Sequence, residues 1–260
     1  MLQPRIIPCL LIRNKGLFKT VNFADGKYVG DPINTVRIFN EKEVDELIVL
    51  DIDATSSGKE PDYQMIEHLA EECRMPLCYG GGVKTIEQAQ RIFGLGVEKI
   101  AISSAAVERP HIVEEAAERV GRQSVIVVLD IRTRPKGSVY EVWSHNGRIN
   151  TGKCPIEFAR QLEAYGVGEI VLNSIDRDGT MIGYDIDLAE EVRNVTNIPL
   201  TVLGGAGSLQ DIKQLIRRLG VIGAAAGSLF VFNGIYRAVL INYPSRPEKD
   251  ALINSAMHEE

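Results

Sequence analysis

One stretch of this chain is written twice. Residues 46–83, "ELIVLDIDATSSGKEPDYQMIEHLAEECRMPLCYGGGV", are echoed by residues 169–207, "EIVLNSIDRDGTMIGYDIDLAEEVRNVTNIPLTVLGGAG". Glu46 answers to Glu169, Asp53 to Asp176, Pro76 to Pro199 and Gly81-Gly82 to Gly204-Gly205, each pair 123 positions apart. Each copy reads as an apolar strand, an amphipathic helix, a second apolar strand and a Gly-rich turn. The alternation continues outside the copies, with strand candidates at 5–12, 46–52, 76–80, 99–104, 124–131, 169–175, 199–204 and 223–228. Their nearly unbroken apolar runs are those of strands covered on both faces. Helix signals lie between them, such as Asp31 before Pro32 and the Gly that ends "TIEQAQRIFGLG". Eight strands and about eight helices in this length suit a (β/α)8 barrel. Alternation alone also fits a doubly wound open sheet. The repeat favours closure: a single α/β domain, a TIM barrel over residues 1–243 built from two (βα)4 halves (about 1–120 and 121–243), then a short helical C-terminal tail at 244–260.

Composition excludes several functions. The chain is 45% hydrophobic and 25% charged, with a formal net charge of −6, which argues against nucleic acid or an anionic membrane as partner. No run reaches the roughly 18 apolar residues of a membrane span. The N-terminus "MLQPRIIPCLLIRNKG" has no basic start or cleavage site of a signal peptide. A soluble cytoplasmic protein is expected. Cys9, Cys73, Cys78 and Cys154 show no CxxC spacing and are expected as reduced thiols. They and His68, His111, His145 and His258 are too scattered for a ligand set, so no metal and no cofactor is expected.

In such a barrel, chemistry sits where the strands end. Turns "GGG" (80–82), "SSAA" (103–106), "GGAG" (204–207) and "AGS" (226–228) end strands three, four, seven and eight. A Gly-rich turn leading into a helix can surround a phosphate with backbone donors, although glycines after strands also serve tight turns. Two such pairs, related by the repeat, suggest a ligand with a phosphate at each end. Asp130 ends "SVIVVLDI", an apolar run where an unpaired carboxylate is costly; it is expected to be an acid or base facing the mouth. The matching place in "RIIPCLLI" holds Leu11. Asp51, Asp53, Asp176 and Asp178 add carboxylates to the rim and read as caps and turn residues. Residues 12–32 read as a long loop with the character of a lid, carrying Lys19 over an anionic ligand. Residues 132–152 read as a hairpin turned at Asn146-Gly147 above the same mouth.

Over roughly residues 3–240 the sequence resembles the cyclase subunit of imidazole glycerol phosphate synthase, from histidine biosynthesis. The shared segments are "RIIPCL", "NF" (22–23), "GDP" (30–32), "DEL" (45–47), "YGGGV", "AAVE" (105–108), "NTG" (150–152), "SIDRDGT" (174–180), "GYD" (183–185) and "GGAG". In that family a half-barrel-duplicated TIM barrel receives ammonia from a glutaminase partner and passes it along the barrel to a substrate with two phosphates. The resemblance implies one phosphate at Gly82, Ser103 and Ser104 and the other at Asp178, Gly179, Gly205, Gly227 and Ser228, with Lys19 as the mobile-loop lysine. It implies that Arg5, Glu46, Lys99 and Glu169, each at a strand start, form the charged gate of the ammonia passage. That gate would face a glutaminase subunit bound as a heterodimer at the N-terminal face.

The departure is Leu11. The family has aspartate there, pairing with the one at Asp130 as general acid and base, a contribution typically worth about 10²–10⁴ in rate. Leu203 and Asn173 stand where the family has small hydroxyl residues, and Ser103 where it has asparagine. The bottom of the barrel looks kept and the top altered. That pattern resembles paralogues in surface-polysaccharide pathways, where ammonia turns an acetamido sugar into an acetamidino sugar. Ammonia delivery for nucleotide-sugar or lipopolysaccharide amidation is therefore expected, with cyclase activity weak or lost. The alternatives are a working histidine-biosynthesis cyclase, with Asp130 alone or helped by Asp51, and a non-catalytic activator of a glutaminase.

Overall fold

The computed structural model describes residues 3–134 and 139–258; the ends of the expected 1–260 span and residues 135–138 of the expected hairpin segment lie outside the described residues. Eight parallel strands close into a barrel: β1 (Arg5–Arg13), β2 (Leu47–Asp51), β3 (Leu77–Gly80), β4 (Lys99–Ile102), β5 (Val125–Thr133), β6 (Glu169–Ser174), β7 (Leu200–Leu203) and β8 (Gly223–Ala226). Each pairs with the next, and β8 returns to β1 in register from Arg5↔Gly223 to Pro8↔Ala226. The expected (β/α)8 barrel is the observed fold.

The continuous apolar strands have a simple cause. Within β5, Val125, Val127 and Leu129 face the helices, while Ile126 and Val128 belong to a separate cluster on the barrel axis. Ile6 and Leu10 of β1 face the helices in the same way, and Ile7 and Cys9 face the axis. Eight outer helices cover the first face: α1 (Pro32–Glu41), α2 (Tyr63–Glu72), α3 (Ile86–Gly94), α4 (His111–Val120), α5 (Pro155–Ala164), α6 (Ile186–Arg193), α7 (Leu209–Leu219) and α8 (Arg246–His258). Their starts are the ones local sequence specifies. Asp31 accepts from Asn34 N–H ahead of Pro32, and Thr85/Gln88 and Ser208/Asp211 form capping boxes. Two short extra helices, Ser104–Glu108 and Ser228–Val231, follow β4 and β8 at positions related by the repeat.

Three segments differ from expectation. The long loop at 12–32 is an antiparallel ribbon, Gly16–Val21 with Ala24–Gly30, folded back on β1 through Leu11↔Phe18. Asn14 and Lys15 make its first turn with φ of 48° and 62°. Leu17 of the ribbon is buried in the core, so the segment has a reason to pair. The 132–152 segment turns at Asn146-Gly147, as expected, but its first partner is β5 itself, extended past the mouth against Tyr140–Ser144. Third, the tail is helical, as expected, but its helix α8 packs beside α7 as part of the outer layer. Ile253 and Ala256 are buried, Tyr243 Oη donates to Ile6 O at 2.8 Å, and Lys249 pairs with Asp45.

Because α8 helps cover the strands, Ile253→Ala should lower unfolding free energy by about 1–3 kcal/mol in urea titration. An appendage would show less than about 0.5 kcal/mol.

Candidate active site

The strand ends surround one cavity. Its lining includes Leu11, Lys19, Gly82, Ser103, Ser104, Asp130, Asp178, Gly179, Gly205, Gly227 and Ser228, so the expected phosphate-site residues, Lys19 and Asp130 are brought to a single place, while Asp53 and Asp176 of the expected rim do not line it. The four residues expected at strand starts meet at the opposite end.

Asp130 continues the axis-facing alternation of Ile126 and Val128 along β5 and lines the cavity; β5 places it in register with Asn173 of β6, and Asn173 with Leu203 of β7. Asn173 Nδ2 donates to Asp130 Oδ1 at 2.9 Å, and Ser103 Oγ lies 3.4 Å from Oδ2. Burial pushes the Asp130 carboxyl up to about 7, against the pull of these two donors; the charge of Asp178 adds to the rise. Asn173, Ser103 and Leu203, which depart from the resembled motif, therefore form one patch around Asp130. Leu11 stands half-buried at the same level, packed with Leu50 against the apolar axis.

Lys19 does not reach over the mouth from a loose lid. The ribbon folds it inward until it is 5% exposed, with Nζ donating to Cys9 O at 2.6 Å. Burial lowers its pKa. Gly227 makes room for it: a Cβ at that position would lie 2.4 Å from Nζ. Asp178 anchors the ribbon by accepting from Thr20 Oγ1 at 2.7 Å and Phe23 N–H at 3.3 Å. Its carboxylate thus serves the protein, and only backbone at this turn is suited to an anion.

The glycine turns have structural causes of their own. Gly179 (φ +68°) passes Thr20 O, and Gly205 (φ +105°) passes Gly183 O, so closely that a Cβ would stand 2.1 Å from either oxygen. At the other turn Gly82 N–H donates to Thr55 Oγ1 at 3.3 Å, and Ser104 Oγ accepts from His145 N–H at 3.0 Å. Asn146, at the hairpin tip, bonds to Ile52 O and lines the cavity. Thr55, Thr20 and this strapping role of Asn146 had no signal in the sequence, since each depends on an approach between distant loops. Asp51 accepts from Asp53 and Ala54 N–H at 3.0 Å, and Asp176 from Thr133 N–H at 2.8 Å, the turn chemistry expected of them. Among the described residues, no three His, Cys, Asp or Glu side chains cluster as a metal site, and no helix is long and apolar enough to cross a membrane.

At the other end, Arg5, Glu46, Lys99 and Glu169 alternate in sign around a ring. Arg5 pairs with Glu46 and, at 2.6 Å, with Glu169; Lys99 Nζ lies 2.7 Å from Glu46 and 3.2 Å from Glu169. Burial works against the Glu169 charge, but Arg5 and Lys99 outweigh it and hold the carboxyl below its ordinary range. Thr201 Oγ1 completes the ring by donating to Glu169 at 2.5 Å. Between ring and cavity lie Ile7, Ile48, Cys78, Ala101, Ile126, Val128, Val171 and Ala225, an apolar axis throughout.

Comparison with known proteins gives a consistent picture. Residues 5–236 match the model of the family described as "Histidine biosynthesis protein". A Leptospira borgpetersenii protein is 56% identical over 252 residues, covering 97% of this chain and 99% of its own length; its provisional name is imidazole glycerol phosphate synthase subunit HisF. A Vibrio vulnificus protein, provisionally subunit hisF3, is 57% identical over 249 residues, 96% of each chain. The imidazole glycerol phosphate synthase subunit HisF of Lactococcus lactis is 40% identical over 230 residues, 88% of this chain and 89% of its own.

The raised Asp130 carboxyl has a thermodynamic consequence. Since the folded state holds this proton more tightly than the unfolded state, the stability it contributes is full below about pH 4 and lost as pH rises towards 7. Asp130→Asn should match the wild type near pH 4 and melt roughly 2–6 °C higher at pH 8. A pH-independent gap between the two melting curves would contradict this.

Proposed function

The chain belongs to the histidine biosynthesis protein family, within it to the HisF type of imidazole glycerol phosphate synthase subunit, and from that premise we propose that it delivers ammonia and has little or no cyclase activity of its own. One observation carries the reading: Asp130 faces the cavity with an amide and a hydroxyl for neighbours, and Leu11 puts an aliphatic side chain where a second carboxylate would stand. Closing a ring with loss of a leaving group requires one proton taken and another given at different atoms. A single carboxyl performs one of these at a time.

The conduit supports the same conclusion. Neutral ammonia passes an apolar axis far more readily than ammonium, whose bare charge is costly there. A glutaminase at the N-terminal face would supply it through the Arg5–Glu46–Lys99–Glu169 ring, and the acceptor would be an activated sugar amidated by a separate enzyme. The turns at Gly82/Ser104 and Gly205/Ser228 keep room for a phosphorylated ligand. A second reading has its own support. Asp130, pushed up to about 7, populates both protonation states near neutrality and could serve a slow histidine-pathway cyclase.

Steady-state cyclisation of the bis-phosphate substrate with ammonium salt separates the two. Wild-type turnover should fall at least about a hundredfold below a subunit carrying both carboxylates. Leu11→Asp should restore part of it at a stability cost of no more than about 2 kcal/mol, because residue 11 is only half-buried at the cavity. Robust wild-type turnover would return the protein to the cyclase role.

The partner is tested by gel filtration of the barrel co-expressed with its glutaminase. One peak of a one-to-one complex is expected, and two separate peaks at micromolar concentration would overturn the assignment. Lys99→Ala should weaken coupling between glutamine hydrolysis and ammonia delivery while the barrel stays folded, as judged by circular dichroism.

A further inference from the structure

The floor of the cavity has one acceptor without a donor. Asn173 is 5% exposed, its Nδ2 is committed to Asp130, and its Oδ1 has no partner. Glu169 joins the charged ring, Val171 belongs to the axial cluster, and Asn173 lines the cavity, so the unpaired oxygen stands at the head of the apolar axis. A buried carbonyl oxygen left without a donor is destabilising, and a ligand's N–H would recover that loss. Beside it, Asp130 Oδ2 receives only the 3.4 Å approach of Ser103 Oγ. The surrounding walls are Leu11, Leu50, Val128 and Leu203. Acceptors within aliphatic walls suit a small group that brings donors and nothing else.

We propose that Asn173 Oδ1 and the Asp130 carboxylate form a holding site for ammonium at the head of the axis. The assignment rests on the ammonia-delivery reading and gives that delivery a direction. Ammonia arriving neutral takes the proton of Asp130 in its acid form: an N–H bond forms from the nitrogen lone pair as the O–H bond breaks. Ammonium is left against a carboxylate, and no other reagent is consumed. The cation cannot re-enter the apolar axis without a large desolvation cost. Returning the proton to Asp130 frees ammonia again on the mouth side. Cys9 and Arg13 of β1, Lys19 of the ribbon, Asp51 at the end of β2 and Asp178 after β6 also face this cavity, Arg13 being paired with Asp53, and none of them donates to Asn173 Oδ1.

The test is a carboxyl-carbon NMR titration of the purified full chain labelled at aspartate, with Asp130 assigned by Asp130→Asn. It is run in ammonium chloride and in tetramethylammonium chloride at equal ionic strength. In ammonium the Asp130 midpoint should fall about one pH unit lower, as expected when the salt stands roughly tenfold above the dissociation constant of the charged form. Asn173→Leu should abolish most of that difference, and Asn173→Ala repeats the measurement should the leucine variant fail to melt cooperatively. Equal midpoints in the two salts would overturn the holding site, and an undiminished shift in a folded Asn173 variant would remove Asn173 from it. No glutaminase or sugar enzyme enters this titration, so its failure leaves the delivery reading standing. Conversely, robust cyclase turnover would end that reading without moving these midpoints.

Discussion

Closing eight parallel strands into a ring gives every strand two buried faces, and the inner one has space for only a few side chains at each level. Everything distinctive here follows from that restriction. At the bottom the space is filled by four alternating charges, in the middle by aliphatic groups and small residues, and at the top by Asp130, Asn173 and their neighbours. Small residues are part of the arrangement. A Cβ on Gly223 would lie 1.9 Å from Thr201 Oγ1, the hydroxyl that supports Glu169 in the ring. A methyl group at that point would therefore disturb the charges as well as the packing.

The two ends handle charge in opposite ways. At the bottom each buried charge has two partners of the other sign, so desolvation is offset. At the top Asp130 has donors but no cation close enough to hold its charge. Lys19, the nearest candidate by chemistry, is bonded to Cys9 O instead. Burial consequently decides the outcome for Asp130, whose carboxyl sits near neutrality. The altered residues Leu11, Ser103, Asn173 and Leu203 are distant in sequence but adjacent around this one group. They come from β1, the end of β4, β6 and β7, and only barrel closure gathers them at one cavity.

Much of this was legible in the sequence, because barrel architecture is a periodic property. The 123-residue repeat, the apolar runs and the Gly-rich turns report strand order, closure and the face where loops gather. Asp130 was conspicuous for a physical reason, as a carboxylate in a run of β-branched and aliphatic residues. The ring residues were conspicuous through the family resemblance and their place at strand starts. What was misread involved segments whose partners are remote. Residues 12–32 carry the glycines and charges of a loop, yet Leu17 finds the core and Asp178 fastens the ribbon. Residues 244–260 read as a helical tail, and only the fold shows Ile253 and Ala256 buried in the outer layer.

Sequence alone therefore determined the barrel, its internal repeat, the end at which the Gly-rich turns gather, and the presence of Leu11 opposite Asp130 in the repeat. These are encoded in local pattern and in what a single position holds. Only the tertiary structure decided that Lys19 turns inward, that Asp130 is bracketed by Ser103 and Asn173, and that one amide oxygen is left without a donor. Each of those depends on hydrogen-bond geometry and burial between strands more than 25 positions apart, or on a ribbon folding back over its own strand. Neither residue type nor spacing carries the distance and desolvation that fix such contacts.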